Sequence, residues 1–156
     1  YLIMLNIVVV PYRQITTYQA VIAQARAYRK VRSFMDKTLK PYNLTITEWL
    51  IIGTAIDAGP TGIRISDLAK TLGVEMPVVT NLVHKATNTR WLRRIEDPED
   101  KRARRVVMTH MGLEKACDIE GELKKATAPW LKGISADSIK GFYDVIGELA
   151  ARDVPG

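Results

Sequence analysis

The chain has 156 residues, 47% of them hydrophobic and 26% charged, so it can bury roughly 70% of its unfolded surface without disulfide or metal staples. Lys and Arg outnumber Asp and Glu by 23 to 17, and the formal net charge of +6 favours a polyanionic partner. Cys117 is the only cysteine, which excludes an intramolecular disulfide and, with only two histidines, argues against structural zinc. We therefore expect a cytoplasmic protein without a metal or cofactor.

The first sixteen residues contain the longest apolar run of the chain. This run, YLIMLNIVVVP, is shorter than the roughly 20 residues of a membrane-spanning helix and lacks the basic start of a secretory signal. We expect no membrane partner. Residues 1–16 fit a packing or dimer-interface segment, or a segment foreign to the native protein, and the residues leave both interpretations open.

The next segment has helical periodicity. From Tyr18 to Leu39, apolar residues recur three or four positions apart with cations between them, and Pro41 predicts the end of this long helix. A second helix is predicted in LTITEWLIIGTAIDAG, where Thr45 and Glu48 have the spacing of a capping box.

Two short helices follow. In ISDLAKTLG, Ser66 is the predicted N-cap and Gly73 the left-handed residue that ends the helix. In EMPVVTNLVHKA, Pro77 is compatible with a helix because it lies in the first turn.

The spacing of these two helices is typical of a helix-turn-helix unit. Ala69 is the small residue at the helix crossing, Gly73 makes the turn, and Val79 packs the second helix onto the first. Val79, Leu82, Val83 and Ala86 then face inward. The outer set is Met76, Pro77, Val78, Thr80, Asn81, His84 and Lys85, in which Asn and Thr suit base edges and Lys85 a phosphate. A plain helical hairpin in an all-α core is the alternative.

After Trp91 the pattern changes to that of strands. WLRRIED and ARRVVMT, separated by PEDKR, predict a β-hairpin directly after the helix-turn-helix, which is the order of a winged helix. Basic residues at the tip of such a wing suit the DNA backbone or the minor groove. Between two arbitrary strands, the same charges would form a solvated turn.

Two further helices complete the chain. Thr109 is the predicted cap of a helix that runs through Ala116 and Cys117, with Pro129 bending or ending it. Ser135 caps a last helix with one apolar stripe: Ile139, Phe142, Tyr143, Ile146, Leu149 and Ala150. The predicted fold is mainly α with a small β-hairpin wing, a winged helix-turn-helix flanked by N- and C-terminal helices.

In this order and spacing, LTITEWLIIGTAIDAG, ISDLAKTLGVEMPVVTNLVHKA, RRIEDPEDKRARRVVMT and HMGLEKA resemble the MarR family of winged-helix transcriptional regulators. The resemblance covers roughly residues 17–151. Its most specific part is the wing motif D-P-x-D-x-R, followed by a strand ending in Met-Thr and a Gly three residues on. The matching residues are Asp97, Pro98, Asp100, Arg102, Met108, Thr109 and Gly112.

The resemblance implies a division of the chain and roles for the wing. Residues 17–44 would form an N-terminal dimerisation helix, 45–110 the DNA-binding lobe and 111–156 the C-terminal dimerisation helices. Arg102 would enter the minor groove with Asp100 orienting it, and Lys101 and Arg104 would contact phosphates.

The implied partners are a pseudo-palindromic operator in double-stranded DNA, a second copy of the chain, and a small aromatic or phenolic effector. The implied function is that of a repressor released by this effector, with Arg32 and Trp49 bordering its pocket. A winged-helix module that binds only proteins is the alternative. An enzyme is disfavoured because the sequence has no Ser/His/Asp spacing and no Gly-rich phosphate loop.

Three residues need separate interpretations. Arg90 stands where the family commonly has a glycine and adopts a left-handed cap less readily than glycine does. We therefore expect the recognition helix to end at Asn88, which tolerates the left-handed conformation. Cys117 lies on an apolar helical face and is predicted to be a buried, inert thiol, although one branch of the family senses peroxide through a cysteine. His110 is predicted to be a surface residue at a helix N-terminus.

Overall fold

The computed structural model describes residues 16–100 and 103–152. The apolar segment predicted over residues 1–16 therefore lies outside the described residues except for Thr16. The chain divides into two units, of which the first ends at Glu114 and the second begins at Lys115.

The first unit begins with helix α1, Thr17–Leu39, which is capped by Thr16 and Gln19 and followed by a 3-10 turn, Lys40–Tyr42. Helix α2, Ile46–Asp57, begins with the predicted capping box, in which Thr45 N donates to Glu48 Oε2 at 2.8 Å and Glu48 N donates to Thr45 Oγ1 at 3.2 Å. A 3-10 turn, Gly59–Thr61, leads into strand β1, Ile63–Arg64. Helices α3, Ile65–Leu72, and α4, Met76–Asn88, form the helix-turn-helix.

The wing strands are β2, Leu92–Glu96, and β3, Arg104–Met108, close to their predicted positions. They pair antiparallel, with Leu92 opposite Met108 and Glu96 opposite Arg104. β1 also pairs with β3, so the described sheet has three strands in the order β1-β3-β2. The mainly helical winged-helix fold is confirmed, but the third strand was not predicted.

β1 also explains why the predicted N-cap of α3 is wrong. Arg64 is extended, with φ −66° and ψ 145°, because it pairs with Arg105 in the sheet, and α3 begins at the next residue. Ser66 consequently lies inside the first turn of the helix, and the Arg64 side chain makes no capping hydrogen bond.

The core of the first unit lies where α2, α3, α4 and the sheet meet. Its fully buried apolar side chains come from every one of these elements: Ile51, Ile52, Ala55, Leu68, Val79, Val83, Leu92, Val106 and Val107. At about 1.5–3 kcal/mol for each large side chain that is fully buried, this cluster is the main stabilising contribution to the lobe.

Helix α5, His110–Leu131, runs from the first unit into the second, where α6, Ala136–Ala151, follows. Thr109 and Ser135 cap the two helices as predicted, because Oγ1 of Thr109 accepts from Gly112 N at 2.9 Å and Oγ of Ser135 accepts from Ser138 N at 3.1 Å. α5 continues through Pro129 and ends two residues later.

The prediction of a buried Cys117 is wrong, since its side chain is exposed. The buried residues of α5 in the second unit are Ala116, Ile119 and Leu123, which recur at helical spacing. Cys117 directly follows Ala116 and therefore lies about 100° or more around the helix from each residue of this stripe.

Candidate nucleic-acid interface

The turn between α3 and α4 has the predicted helix-turn-helix geometry. Gly73 adopts φ +60°, and Gly73 N and Val74 N donate to the carbonyls of Lys70 and Ala69 at 3.3 and 3.1 Å. Ala69 and Val79 are buried on the facing sides of the two helices, as their spacing predicted. This turn fixes the direction in which α4 leaves α3.

Helix α4 has a buried side and an exposed side. Val79, Val83 and Ala86 are buried and Leu82 is half-buried, so its inner face is as predicted. All seven residues of the predicted outer set are exposed: Met76, Pro77, Val78, Thr80, Asn81, His84 and Lys85.

Hydrogen bonds within α4 restrain two of these outer side chains. Thr80 Oγ1 donates to the Met76 carbonyl at 2.8 Å, and Asn88 Nδ2 lies 3.1 Å from His84 Nε2. Within residues 16–100 and 103–152, no hydrogen bond involves the Asn81 side chain. Asn81 therefore presents its amide to solvent in a helix that the core holds in place.

Lys85 is half-exposed but has a buried partner. Its Nζ lies 2.6 Å from Glu48 Oε1, and Glu48 is only 5% exposed. Burial opposes ionisation of Glu48, but the hydrogen bonds from Lys85 and Thr45 outweigh it and lower the pKa of this carboxyl. The pair links the recognition helix to the start of α2. No local pattern predicts it, because the two residues are far apart in the chain.

The end of α4 sets where the wing begins. The helix ends at Asn88 as predicted, but the left-handed residue is Arg90, with φ +60°. Arg90 N donates to the Thr87 carbonyl at 3.1 Å and Trp91 N to the Ala86 carbonyl at 2.9 Å, which is the hydrogen-bond pattern of a Schellman cap. Burial of Trp91 and Leu92 immediately afterwards favours this conformation in spite of the arginine.

Thr109 and Gly112, at the other end of the wing, contact the backbone of Arg90 and Trp91 where the wing begins. Thr109 Oγ1 donates to the Arg90 carbonyl at 2.6 Å, and Thr109 N donates to the Trp91 carbonyl at 3.0 Å. A Cβ atom on Gly112 would overlap that Trp91 carbonyl. The close approach explains the need for glycine three residues after Thr109.

The base of the wing is held by a buried carboxylate. Asp97 Oδ2 accepts from Arg64 Nε at 2.5 Å and from Arg105 Nε at 2.7 Å, and the Asp97 side chain is fully buried. Asp97 Oδ1 accepts from Arg64 Nη2 at 3.1 Å and from the backbone N–H groups of Glu99 and Asp100 at 2.9 and 3.2 Å. We call Asp97, Arg64 and Arg105 the wing-base cluster.

The electrostatics of the wing-base cluster follow from this geometry. Hydrogen bonds from Arg64, then from Arg105 and the backbone of Glu99, hold the pKa of Asp97 far below its usual range although burial opposes them. The hydrogen bond and charge of Asp97 in turn raise the pKa of Arg64. Sequence reasoning missed the cluster, because Arg64 lies 33 positions before Asp97 and no local pattern joins them.

The wing tip is only partly described. Lys101 and Arg102, the predicted phosphate and minor-groove contacts, lie outside the described residues. Asp100 is exposed. Its predicted role in orienting Arg102 also lies outside the described residues, because Arg102 does. Arg104 is also exposed and lies 3.4 Å from Glu96 across the strand pair.

The predicted effector-pocket residues do not meet in the described cavities of the first unit. One cavity of about 70 Å³ lies between the Tyr42–Leu44 loop, α2 and α4, and a groove of about 320 Å³ lies between the end of α2, the wing strands and Leu113. Arg32 is exposed and Trp49 half-buried, and neither lines these two spaces. His110 is exposed at the start of α5, as predicted, with Glu114 3.4 Å away.

The described residues contain neither a metal-binding cluster nor a membrane-spanning helix. In residues 16–100 and 103–152, no cluster of three or more His, Cys, Asp or Glu side chains has the arrangement of a metal site. None of the helices in those ranges is long and apolar enough to cross a bilayer.

This arrangement is similar to that of known proteins. Residues 42–103 match the model of the MarR family. A MarR-family transcriptional regulator from Rhodococcus sp. RHA1 is 18% identical, with a TM-score of 0.77 over 91% of this chain and 99% of that chain.

Two further similar structures are complexes. CouR from Rhodococcus jostii RHA1, bound to p-coumaroyl-CoA, is 19% identical, with a TM-score of 0.77 over 92% of this chain and 99% of that chain. The MepR–DNA complex of S. aureus is 16% identical, with a TM-score of 0.66 over 86% of this chain and 97% of that chain. At these identities the likeness establishes the fold.

Proposed function

Since residues 42–103, which include the helix-turn-helix, match the model of the MarR family, we propose that the protein is a dimeric, sequence-specific DNA-binding regulator that acts as a repressor. The observation that carries this proposal is the exposed outer face of α4, which a buried inner face holds rigidly beside a basic wing. The DNA-bound neighbour of the same fold supports it.

In this proposal the recognition helix lies in the major groove. Met76, Pro77, Val78, Thr80, Asn81 and His84 face the base edges, because they form its exposed side. Lys85, expected from the sequence to contact phosphate, instead positions the helix, because its ammonium group is engaged by the buried Glu48.

The wing would lie against the adjacent minor groove. Arg102 enters the groove with Asp100 orienting it, and Lys101 and Arg104 contact the phosphates on either side. These assignments rest on the resemblance of the wing motif. The wing-base cluster supports them by fixing the strands from which the tip projects.

A second copy of the chain would bind the exposed apolar residues of the outer helices. Tyr18, Val21, Tyr28 and Val31 of α1 are between 50% and 71% exposed. In the second unit, Phe142, Tyr143, Val145 and Leu149 of α6 are between 57% and 76% exposed. Faces of this kind are covered in stable proteins, and closed two-fold pairing covers both copies equally.

An effector of the small aromatic or phenolic class is part of the proposal, with Arg32 and Trp49 as the pocket residues that the resemblance implies. Its support is the ligand-bound neighbour of the same fold. Benzoate and p-coumaroyl-CoA are suitable probes. The expected result is release of bound DNA, and unchanged DNA affinity with both probes would remove this class from the proposal.

The experiment for the proposed function is selection of bound fragments from a random duplex pool, followed by affinity measurements. We expect a pseudo-palindrome with half-sites about one helical turn apart. Arg102→Ala should weaken binding, and Asn81→Ala should change sequence preference more than affinity. If no duplex binds at low salt, the DNA-binding proposal fails and the protein-binding module becomes the better interpretation.

A further inference from the structure

The exposed side of α4 has an unusual chemical composition for a helix that reads DNA. The sequence of α4, MPVVTNLVHKATN, contains no arginine and no acidic residue, and Lys85 is its only lysine. Guanine is most often recognised by Arg or Lys, through two hydrogen bonds to O6 and N7. α4 therefore lacks the usual reader of a G·C pair unless Lys85 supplies it.

Lys85 is poorly suited to that task. Its ammonium group lies 2.6 Å from a carboxylate that is 5% exposed, so moving it to a base edge would leave a buried charge without its cation. That loss works against any guanine contact.

The first turn of α4 instead exposes apolar surface. Met76 and Val78 are 45% and 46% exposed, and Pro77 between them is exposed as well. At 100° per residue, Pro77, Asn81 and His84 form the centre of the outer side, and Met76 and Val78 flank it. In the major groove, the apolar group available to such side chains is the 5-methyl group of thymine.

Asn81 complements these apolar residues. An asparagine amide forms two hydrogen bonds with N6 and N7 of adenine, and the Asn81 amide makes no hydrogen bond within residues 16–100 and 103–152. An adenine contact and thymine-methyl contacts belong to the same kind of base pair.

We infer that α4 reads A·T base pairs, with Met76 and Val78 contacting thymine methyl groups and Asn81 contacting adenine. This inference rests on the proposed DNA-binding function and adds the chemical class of the half-site. Met76 and Val78 become specificity-determining residues, although neither forms a hydrogen bond with a base.

The test replaces thymine by uracil, which removes only the 5-methyl group. A duplex selected from a random pool by the full-length chain is synthesised with thymine or with uracil in its half-sites. For the wild type we expect affinity to fall about four-fold for each contacted methyl group, which corresponds to burial of one such group. A Met76→Ala/Val78→Ala variant should bind both duplexes with nearly equal affinity.

Asn81→Ala is the matched control, because it should weaken binding but keep the wild-type ratio between the two duplexes. An equal thymine-to-uracil ratio in the wild type and in Met76→Ala/Val78→Ala would place the methyl sensitivity elsewhere and overturn the inference. Wild-type binding without a methyl effect, or selected half-sites dominated by G·C pairs, would also overturn it while leaving the proposed function standing. Failure of every duplex to bind would reject the proposed function itself.

Discussion

The recognition helix and the wing, the two segments proposed to meet DNA, are held in the fold by different forces. α4 is anchored by apolar side chains, Val79, Val83 and Ala86, with the Lys85–Glu48 pair towards its C-terminal end. The wing is anchored at its base by a fully buried carboxylate between Arg64 and Arg105. Part of the positive charge of the chain therefore forms ion pairs with buried carboxylates of the fold.

Because of this difference, the net charge of the chain overstates the number of cations available to DNA. The formal charge of +6 suggested a polyanionic partner, but three of the cations near the proposed interface, Arg64, Lys85 and Arg105, have buried carboxylate partners. We expect their replacement to change folding stability more than DNA affinity. Replacement of Lys101 should change DNA affinity more than folding stability.

The largest expected effect is that of Asp97→Ala. It removes the buried anion of two partly buried guanidinium groups and leaves them only the exposed Glu99, so we expect the melting temperature to fall by roughly 5 °C or more. Asp97→Asn is the matched control, since its amide oxygen can still accept from Glu99 N and Asp100 N and the loss should be smaller. Melting temperatures equal to the wild type for both variants would show that the wing-base cluster does not hold the wing.

Acid pH should weaken both anchors. The pKa values of Asp97 and Glu48 are lowered in the folded state, so their stabilisation is complete above the unfolded values near 4 and is lost as the pH falls towards the folded values. We expect melting temperatures to decline below about pH 4 and to decline less steeply in Asp97→Asn. A decline of equal steepness in wild type and variant would contradict this linkage.

A smaller effect is expected from Lys85→Met, which keeps the aliphatic stem but removes the charge. We expect a loss of about 1–2 kcal/mol, because the buried Glu48 loses its cation while the half-exposed pair is partly screened by solvent. Adding Glu48→Gln should recover part of the loss. An unchanged stability together with a weaker salt dependence of DNA binding would instead restore Lys85 as a phosphate contact.

The smallest effect concerns the junction between the two regions. Arg90 adopts φ +60°, so Arg90→Gly should raise stability by about 0.5–1 kcal/mol. Arg90→Ala is the control, because alanine has the same difficulty in the left-handed region and should bring no gain. Denaturant unfolding of the three proteins measures the difference, and a gain with alanine would mean that the arginine side chain, rather than its backbone, is the cause.

Features with a local signal in the sequence were predicted well. Thr45, Thr109 and Ser135 cap their helices through residues three positions away, and Gly73 ends α3 as expected. The exposed side of α4 followed from helical periodicity alone. Each of these signals is contained within one or two turns of helix.

Features that depend on distant partners were missed. β1 has only two residues, and its pairing with β3 joins Ile63 to Val106. The same pairing brings Arg64 to Asp97 and moves the start of α3 from the residue after Ser66 to Ile65. Arg90 was expected to avoid the left-handed region, but burial of the following Trp91 and Leu92 outweighs the local preference.

The salt dependence of affinity for a selected duplex and for a scrambled duplex of equal composition tests the central claim most directly. The account predicts that wild-type affinity falls steeply with salt and that the selected duplex is preferred. Asn81→Ala should reduce the preference at an unchanged slope. Lys101→Ala removes one phosphate contact from each subunit of the proposed dimer, so it should reduce the slope by about 1.8 at an unchanged preference. Binding that is insensitive to salt, or variants that change slope and preference alike, would contradict the division of roles between α4 and the wing.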